Sequence, residues 1–114
     1  MLTLPIKKKW FELILSGDKK EEYREIKPYY TSRFSKLFGF DEYGMIDAFI
    51  NVEVTHYIAS RQVCFRNGYS SHSPCFIATV SLSINYGKEE WGAEPNKRYY
   101  VLKIIEIEEV KENE

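Results

Sequence analysis

The apolar positions in the first third of the chain predict a strand, a helix, a second strand and a second helix. Residues 2–6 form a short apolar strand, and residues 7–16 carry apolar side chains at the one-, three- and four-residue spacings of one helical face. Gly17 follows, where a helix commonly ends in a left-handed conformation. The charged but alternating segment 20–26 suits a strand, and Pro28 is a favourable first residue for a second helix.

After the second helix the pattern changes to a period of two, which predicts strands. Alternation runs through residues 48–58 and again through 76–84, and residues 99–107 form a nearly continuous apolar run that fits a buried strand. Turn-forming residues separate these runs. Two N-terminal helices followed by about five to six short strands predict an α+β fold whose strands curl into a small β-barrel.

Length and charge narrow the picture further. The 114 residues fit one domain, 1–114, with an acidic tail over residues 108–114. The formal net charge is −1, but the excess of Lys and Arg is concentrated in the N-terminal third. An anionic ligand is therefore expected to bind there.

The cysteines and histidines predict neither a metal site nor a cofactor. Cys64 and Cys75 form no CxxC motif, and His56 and His72 lack metal-ligand spacing relative to them, so we expect free thiols. Charge follows a very short apolar stretch at the N-terminus, which is the wrong order for a secretory signal, and no apolar run approaches the roughly 20 residues of a membrane span. We expect a cytoplasmic protein without a membrane partner, and a monomer.

A compact set of charged residues follows the first predicted helix. Strand alternation places Glu22 and Arg24 on one face and Tyr23 on the other, while Lys19 at the turn can reach the first face. Such a set can bind a phosphate or carboxylate, or its acid can orient or deprotonate a polar ligand. An exposed, salt-bridged strand edge that protects against aggregation explains the same residues.

The spacing Gly17-x-Lys19-x-x-Glu22-x-Arg24 matches the GxKxxExR signature, and the chain resembles the ASCH domain family over nearly its whole length. The resemblance implies a PUA-like β-barrel that binds RNA or a nucleotide or nucleoside ligand. Lys19, Glu22 and Arg24 would line its cleft, and Gly17 would shape the turn.

Two enzymatic branches of that family bear on the same residues. One resembles an amidohydrolase of acylated cytidines, with a Thr nucleophile at the position that Glu22 occupies here. This chain departs from it, because a carboxylate is a poor substitute for a hydroxyl that attacks an amide. The other resembles a ribonuclease, in which Lys19 and Glu22 would be catalytic as general acid and base.

Two further segments carry weaker signals. Residues 65–69 mix aromatic and basic side chains on a predicted turn, where Arg66 and Tyr69 would contact the backbone and bases of a nucleic acid. An Asn-Gly hairpin with its aromatic flanks packed inward is the alternative. Trp91 is expected mainly to anchor packing in a loop beside the cleft.

Three functions remain open from the sequence. The first is an RNA- or nucleotide-binding domain with a basic cleft, and the second is a small hydrolase that uses Lys19 and Glu22. The third is a protein-interaction adaptor whose aromatic loops meet another protein.

Overall fold

The computed structural model describes residues 1–39 and 59–111, and the predicted strand over 48–58 and the last residues of the acidic tail lie outside that range. Two helices and five strands confirm the α+β prediction. The elements are β1 (Thr3–Ile6), α1 (Lys8–Ser16), β2 (Glu21–Arg24), α2 (Pro28–Phe38), β3 (Ser60–Asn67), β4 (Cys75–Tyr86) and β5 (Arg98–Lys111), with a short 3-10 helix at Glu89–Trp91 before β5.

Both helices end as the sequence predicts. Gly17 and Gly39 adopt φ values of 87° and 82°, which glycine tolerates better than any residue with a side chain. The apolar stripe of α1 is buried through Phe11 and Ile14, and that of α2 through Phe34 and Phe38. The helical periodicity read from the sequence therefore corresponds to the faces that pack on the sheet.

The five strands form one sheet in the order β1-β3-β4-β5-β2. β1 pairs with β3 in parallel, and the other three pairings are antiparallel. Alternate residues of the central strand β4 supply the middle of the core: Phe76, Ala78, Val80, Leu82 and Ile84. Tyr100 extends that core from β5, and its hydroxyl is hydrogen-bonded to that of Thr31 on α2.

One hydrogen bond shows how strongly the sheet curls. Arg24 Nη2 in edge strand β2 donates to the Pro5 carbonyl in the opposite edge strand β1 over 2.9 Å. In a flat sheet these strands would lie four spacings apart, roughly 19 Å, which is far beyond the reach of an arginine. The sheet is therefore curled into a half-barrel, and its two edges face each other across a seam closed by a side chain.

Two predictions about strands need correction. Phe65 and Arg66 lie in β3, not on a turn, and the sequence pattern missed this strand because its buried residues are consecutive: Val63, Cys64 and Phe65. The run from 99 to 107 is a strand, but only its first half is buried. Ile105 is half exposed although it lies within β5.

No helix within residues 1–39 and 59–111 is long and apolar enough to cross a membrane.

Candidate ligand-binding cleft

A cleft of about 740 Å³ opens along the seam between β1 and β2. Its volume lies within the range of roughly 300–1,000 Å³ that is typical of small-molecule sites. Five cationic and three acidic side chains line it together with six aromatic ones. The charged residues are Lys7, Lys8, Arg24, Lys27, Lys97, Glu22, Glu25 and Glu94, and the aromatic residues are Trp10, Tyr23, Tyr30, Tyr69, Trp91 and Tyr99.

Glu22 occupies the wall of this cleft and is only 6% exposed. It pairs with Leu102 across the β2–β5 ladder, so it shares the side of the sheet that carries the core. Its Oε1 lies 3.3 Å from Lys19 Nζ, and its Oε2 lies 2.9 Å from Arg24 Nη2. Two cations therefore hold and orient one buried carboxylate.

Arg24 lies on the same side of β2 as Glu22, as strand alternation predicts. Its guanidinium binds the Glu22 carboxylate and the Pro5 carbonyl, and its Nη1 donates to the Tyr30 hydroxyl of α2 over 3.1 Å. Because three elements meet at this one planar group, Arg24 fixes the seam and the floor of the cleft together.

Lys19 is the least accessible of the signature residues, with 1% of its surface exposed, and it does not line the cleft. Its Nζ donates to the Trp91 carbonyl and lies 4.4 Å from the centroid of the Trp10 ring. Burial lowers the pKa of Lys19 from its usual value, and the neighbouring Glu22 carboxylate opposes that shift. Lys19 thus supports Glu22 from behind, out of direct contact with the cleft.

The loop around Trp91 forms one side of the cleft. Besides the bond from Lys19, the Trp91 indole Nε1 donates to the Asp18 carbonyl over 2.9 Å, and the Lys88 amide donates to the Tyr23 hydroxyl over 3.0 Å. Trp91 therefore anchors its loop through a hydrogen bond and also contributes to the wall of the cleft.

For the segment 65–69 the sequence leaves two alternatives open, and each describes a different part of the segment. Phe65 is completely buried in the core, whereas Tyr69 is 91% exposed at the rim of the cleft. Arg66 does not line the cleft, and its Nε is buried without a hydrogen-bond partner within the described residues. The structure thus brings Tyr69 to Glu22 and Arg24, but not Arg66.

Sequence reasoning did not assign several lining residues to the site. Trp10 and Tyr30 carry the apolar periodicity of helices and look like core residues, yet each is only partly buried and faces the cleft. Lys27 precedes α2 directly and is exposed. The sequence signal that could have identified these lining residues is the occurrence of aromatic residues next to lysines at the starts of both helices.

Within the described ranges there is no cluster of three His, Cys, Asp or Glu side chains that could hold a metal ion. The chain gave no match to protein-family models, to curated proteins or to solved structures. The resemblance to ASCH domains therefore stays a prediction from the sequence.

The lowered pKa of Lys19 predicts how its contribution to stability changes with pH. Between that lowered pKa and the usual 10.5, the unfolded chain keeps a proton that the folded protein has released, so the free energy of unfolding rises with pH in this window. The stability difference between wild type and Lys19→Met should therefore increase across the window and stay constant below it. Urea titrations of both proteins at a series of alkaline pH values test this, and a flat difference throughout would contradict the lowered pKa.

Proposed function

We propose that this protein is an RNA- or nucleotide-binding domain of the ASCH type, with a PUA-like barrel and a cytoplasmic location. The cleft of about 740 Å³, in which aromatic and cationic side chains surround the buried Glu22 carboxylate, is the observation that carries this proposal. The signature supports the family assignment, because Gly17 ends α1 and the other three residues form one continuous chain of ion pairs.

The cleft offers a complement to each part of a nucleotide. Tyr69 presents an exposed ring on which a base can stack, and stacking on aromatic side chains is tolerant of base identity. The oxygens of Glu22 can accept hydrogen bonds from a base amino group or a sugar hydroxyl. Lys27 and Lys97 at the rim complement a phosphate, although Lys97 also pairs with Glu25 and Glu94.

The arrangement of Lys19 favours binding over hydrolysis. A general base must come within hydrogen-bond reach of the proton it removes, directly or through one water. Lys19 Nζ is instead buried against the Trp91 carbonyl, the Trp10 ring and Glu22. We therefore assign Lys19 the role of positioning Glu22, and we treat turnover of a bound ligand as an outcome that the assay below detects.

The binding experiment is a thermal-shift screen with nucleosides, nucleotides and short RNAs, followed by titration of each ligand that stabilises the protein. A ligand that binds the folded state alone raises the melting temperature. Tyr69→Ala should weaken its binding by about 1–3 kcal/mol, the usual loss when one base-stacking ring is removed. Because Tyr69 packs on nothing that buries it, the variant should fold like wild type.

Tyr86→Ala is the matched control. Tyr86 is also an exposed tyrosine, at 57%, but it does not line the cleft, so its loss should leave affinity unchanged. Equal effects of the two variants, or no stabilisation by any nucleoside, nucleotide or RNA, would contradict the proposal and favour a protein-interaction adaptor. Product formation in the same mixtures would instead identify a hydrolase.

A further inference from the structure

A second, smaller cleft of about 290 Å³ continues from the first along the face of α2. The two clefts share five residues, among them Tyr69 and Lys27, so they are direct neighbours. The shared residues are Pro5, Arg24, Lys27, Tyr30 and Tyr69. A ligand long enough to pass over the shared residues can therefore reach from the larger cleft into the smaller one.

The two clefts differ in charge. Three acidic side chains line the larger cleft, whereas the smaller is lined by Arg24, Lys27 and Arg33 with no acidic residue among its lining side chains. A phosphate is repelled by carboxylates and attracted to cations. Because Arg24 pairs with Glu22 and Lys27 pairs with Glu25, Arg33 supplies most of the attraction for a phosphate in the smaller cleft. A base, which carries hydrogen-bond donors, is better matched to the cleft that contains Glu22.

Arg33 is the cation that lines the smaller cleft and not the larger one. Its guanidinium lies 3.4 Å from the centroid of the Tyr29 ring, and its Nη1 donates to the Tyr29 carbonyl over 2.9 Å. A guanidinium has five N–H donors, so this single bond leaves the planar fork able to grip a phosphate. The contact with the Tyr29 ring favours a position of the guanidinium at the smaller cleft.

We infer that the smaller cleft is a subsite for the phosphate and adjoining nucleotide of a single-stranded polynucleotide whose base occupies the larger cleft. The inference rests on the proposed function and adds to it that the preferred ligand is an oligonucleotide and not a free mononucleotide. Tyr69, at the junction of the clefts, stacks between successive units, and Arg33 with Lys27 takes the backbone charge.

The test compares a nucleoside 5′-monophosphate with single-stranded oligonucleotides of two to eight nucleotides, each titrated over a range of salt concentrations. The oligonucleotides should bind at least about tenfold more tightly than the monophosphate. Arg33→Ala should reduce the slope of log K against log salt by about 0.7 for the oligonucleotides, the value for one phosphate contact on a single strand. The loss of affinity should be smaller for the monophosphate, which has no adjoining nucleotide to place in the smaller cleft, and ribo- and deoxyribo-oligonucleotides in parallel identify the sugar.

Lys36→Ala is the matched control, because Lys36 is an exposed cation on the same helix that lines neither cleft. Both positions are helical and exposed, so alanine preserves the fold. If monophosphate and oligonucleotides bind equally and Arg33→Ala behaves like Lys36→Ala, the subsite is refuted while the proposed function stands. If neither class of ligand binds wild type, both fail together.

Discussion

Replacing Glu22 with glutamine should lower the free energy of unfolding by about 3–5 kcal/mol, the usual cost of breaking a buried ion pair by removing one partner. The substitution preserves the shape of the side chain but leaves Lys19 and Arg24 next to each other without the carboxylate that neutralises them. Urea unfolding at neutral pH measures the loss. The pKa of Lys19 should also fall further, because the carboxylate that opposes its burial is gone.

Glu25→Gln is the control that distinguishes the effect of burial from the effect of losing a negative charge. Glu25 also pairs with two lysines, Lys27 at 3.9 Å and Lys97 at 3.6 Å, but it is exposed, and exposed pairs contribute about 0–1 kcal/mol. A comparable decrease in the free energy of unfolding in both variants would show that the ion pairs of Glu22 contribute no more than exposed ion pairs do. Adding Lys19→Met to Glu22→Gln should recover part of the loss, because the uncompensated cation is then removed.

Replacing Gly92 with alanine should destabilise the protein by about 2–4 kcal/mol and weaken ligand binding. Its φ of 101° is unfavourable for any residue with a side chain, and a Cβ there would lie 2.9 Å from Cζ2 of Trp10. The ring of Trp10 must then move, although it contacts Lys19 and lines the cleft. Thermal unfolding and ligand titration of the variant measure the two effects.

Gly39→Ala provides the comparison for backbone strain alone. Gly39 has a φ of 82°, but a Cβ there would meet nothing within 4 Å, so only the conformational cost of about 1–2 kcal/mol applies. Its effect on binding should be nil, because Gly39 does not line the cleft. Equal destabilisation by Gly92→Ala and Gly39→Ala would mean that the Trp10 ring moves aside at little cost in free energy and does not determine the shape of the cleft.

The sequence predicted those helices and strands that are determined by the pattern of neighbouring residues. Gly17 and Gly39 end the helices where their apolar stripes stop, and the alternation in 76–84 identified the central strand. β3 was missed because Val63, Cys64 and Phe65 are all buried, so its pattern has no period of two. Local periodicity cannot indicate burial that other strands and helices impose.

The sequence predicted that Glu22 and Arg24 lie together in the candidate site, but it did not predict that Lys19 is buried. Spacing placed Glu22 beside Arg24, yet a lysine at a charged turn gives no sign of being buried. Lys19 is buried because the loop that contains Trp91, which is distant in the sequence, covers it. The Trp91 carbonyl accepts a hydrogen bond from Lys19 Nζ. The second cleft was missed for a similar reason: Tyr29 and Arg33 are four apart on α2, but only the fold places them next to Tyr69.

The order of strands also constrains when the cleft can form. Within the described part of the chain, β2 pairs with β5 and β1 pairs with β3, so Glu21 meets Lys103 and Thr3 meets Cys64. β3, β4 and β5 form a meander of sequential neighbours, which is the kind of local arrangement that folds early. Strand β2, which carries Glu22 and Arg24, cannot pair until β5 has been synthesised. We therefore expect this wall of the cleft to form only after residues 98–111 are available to fold.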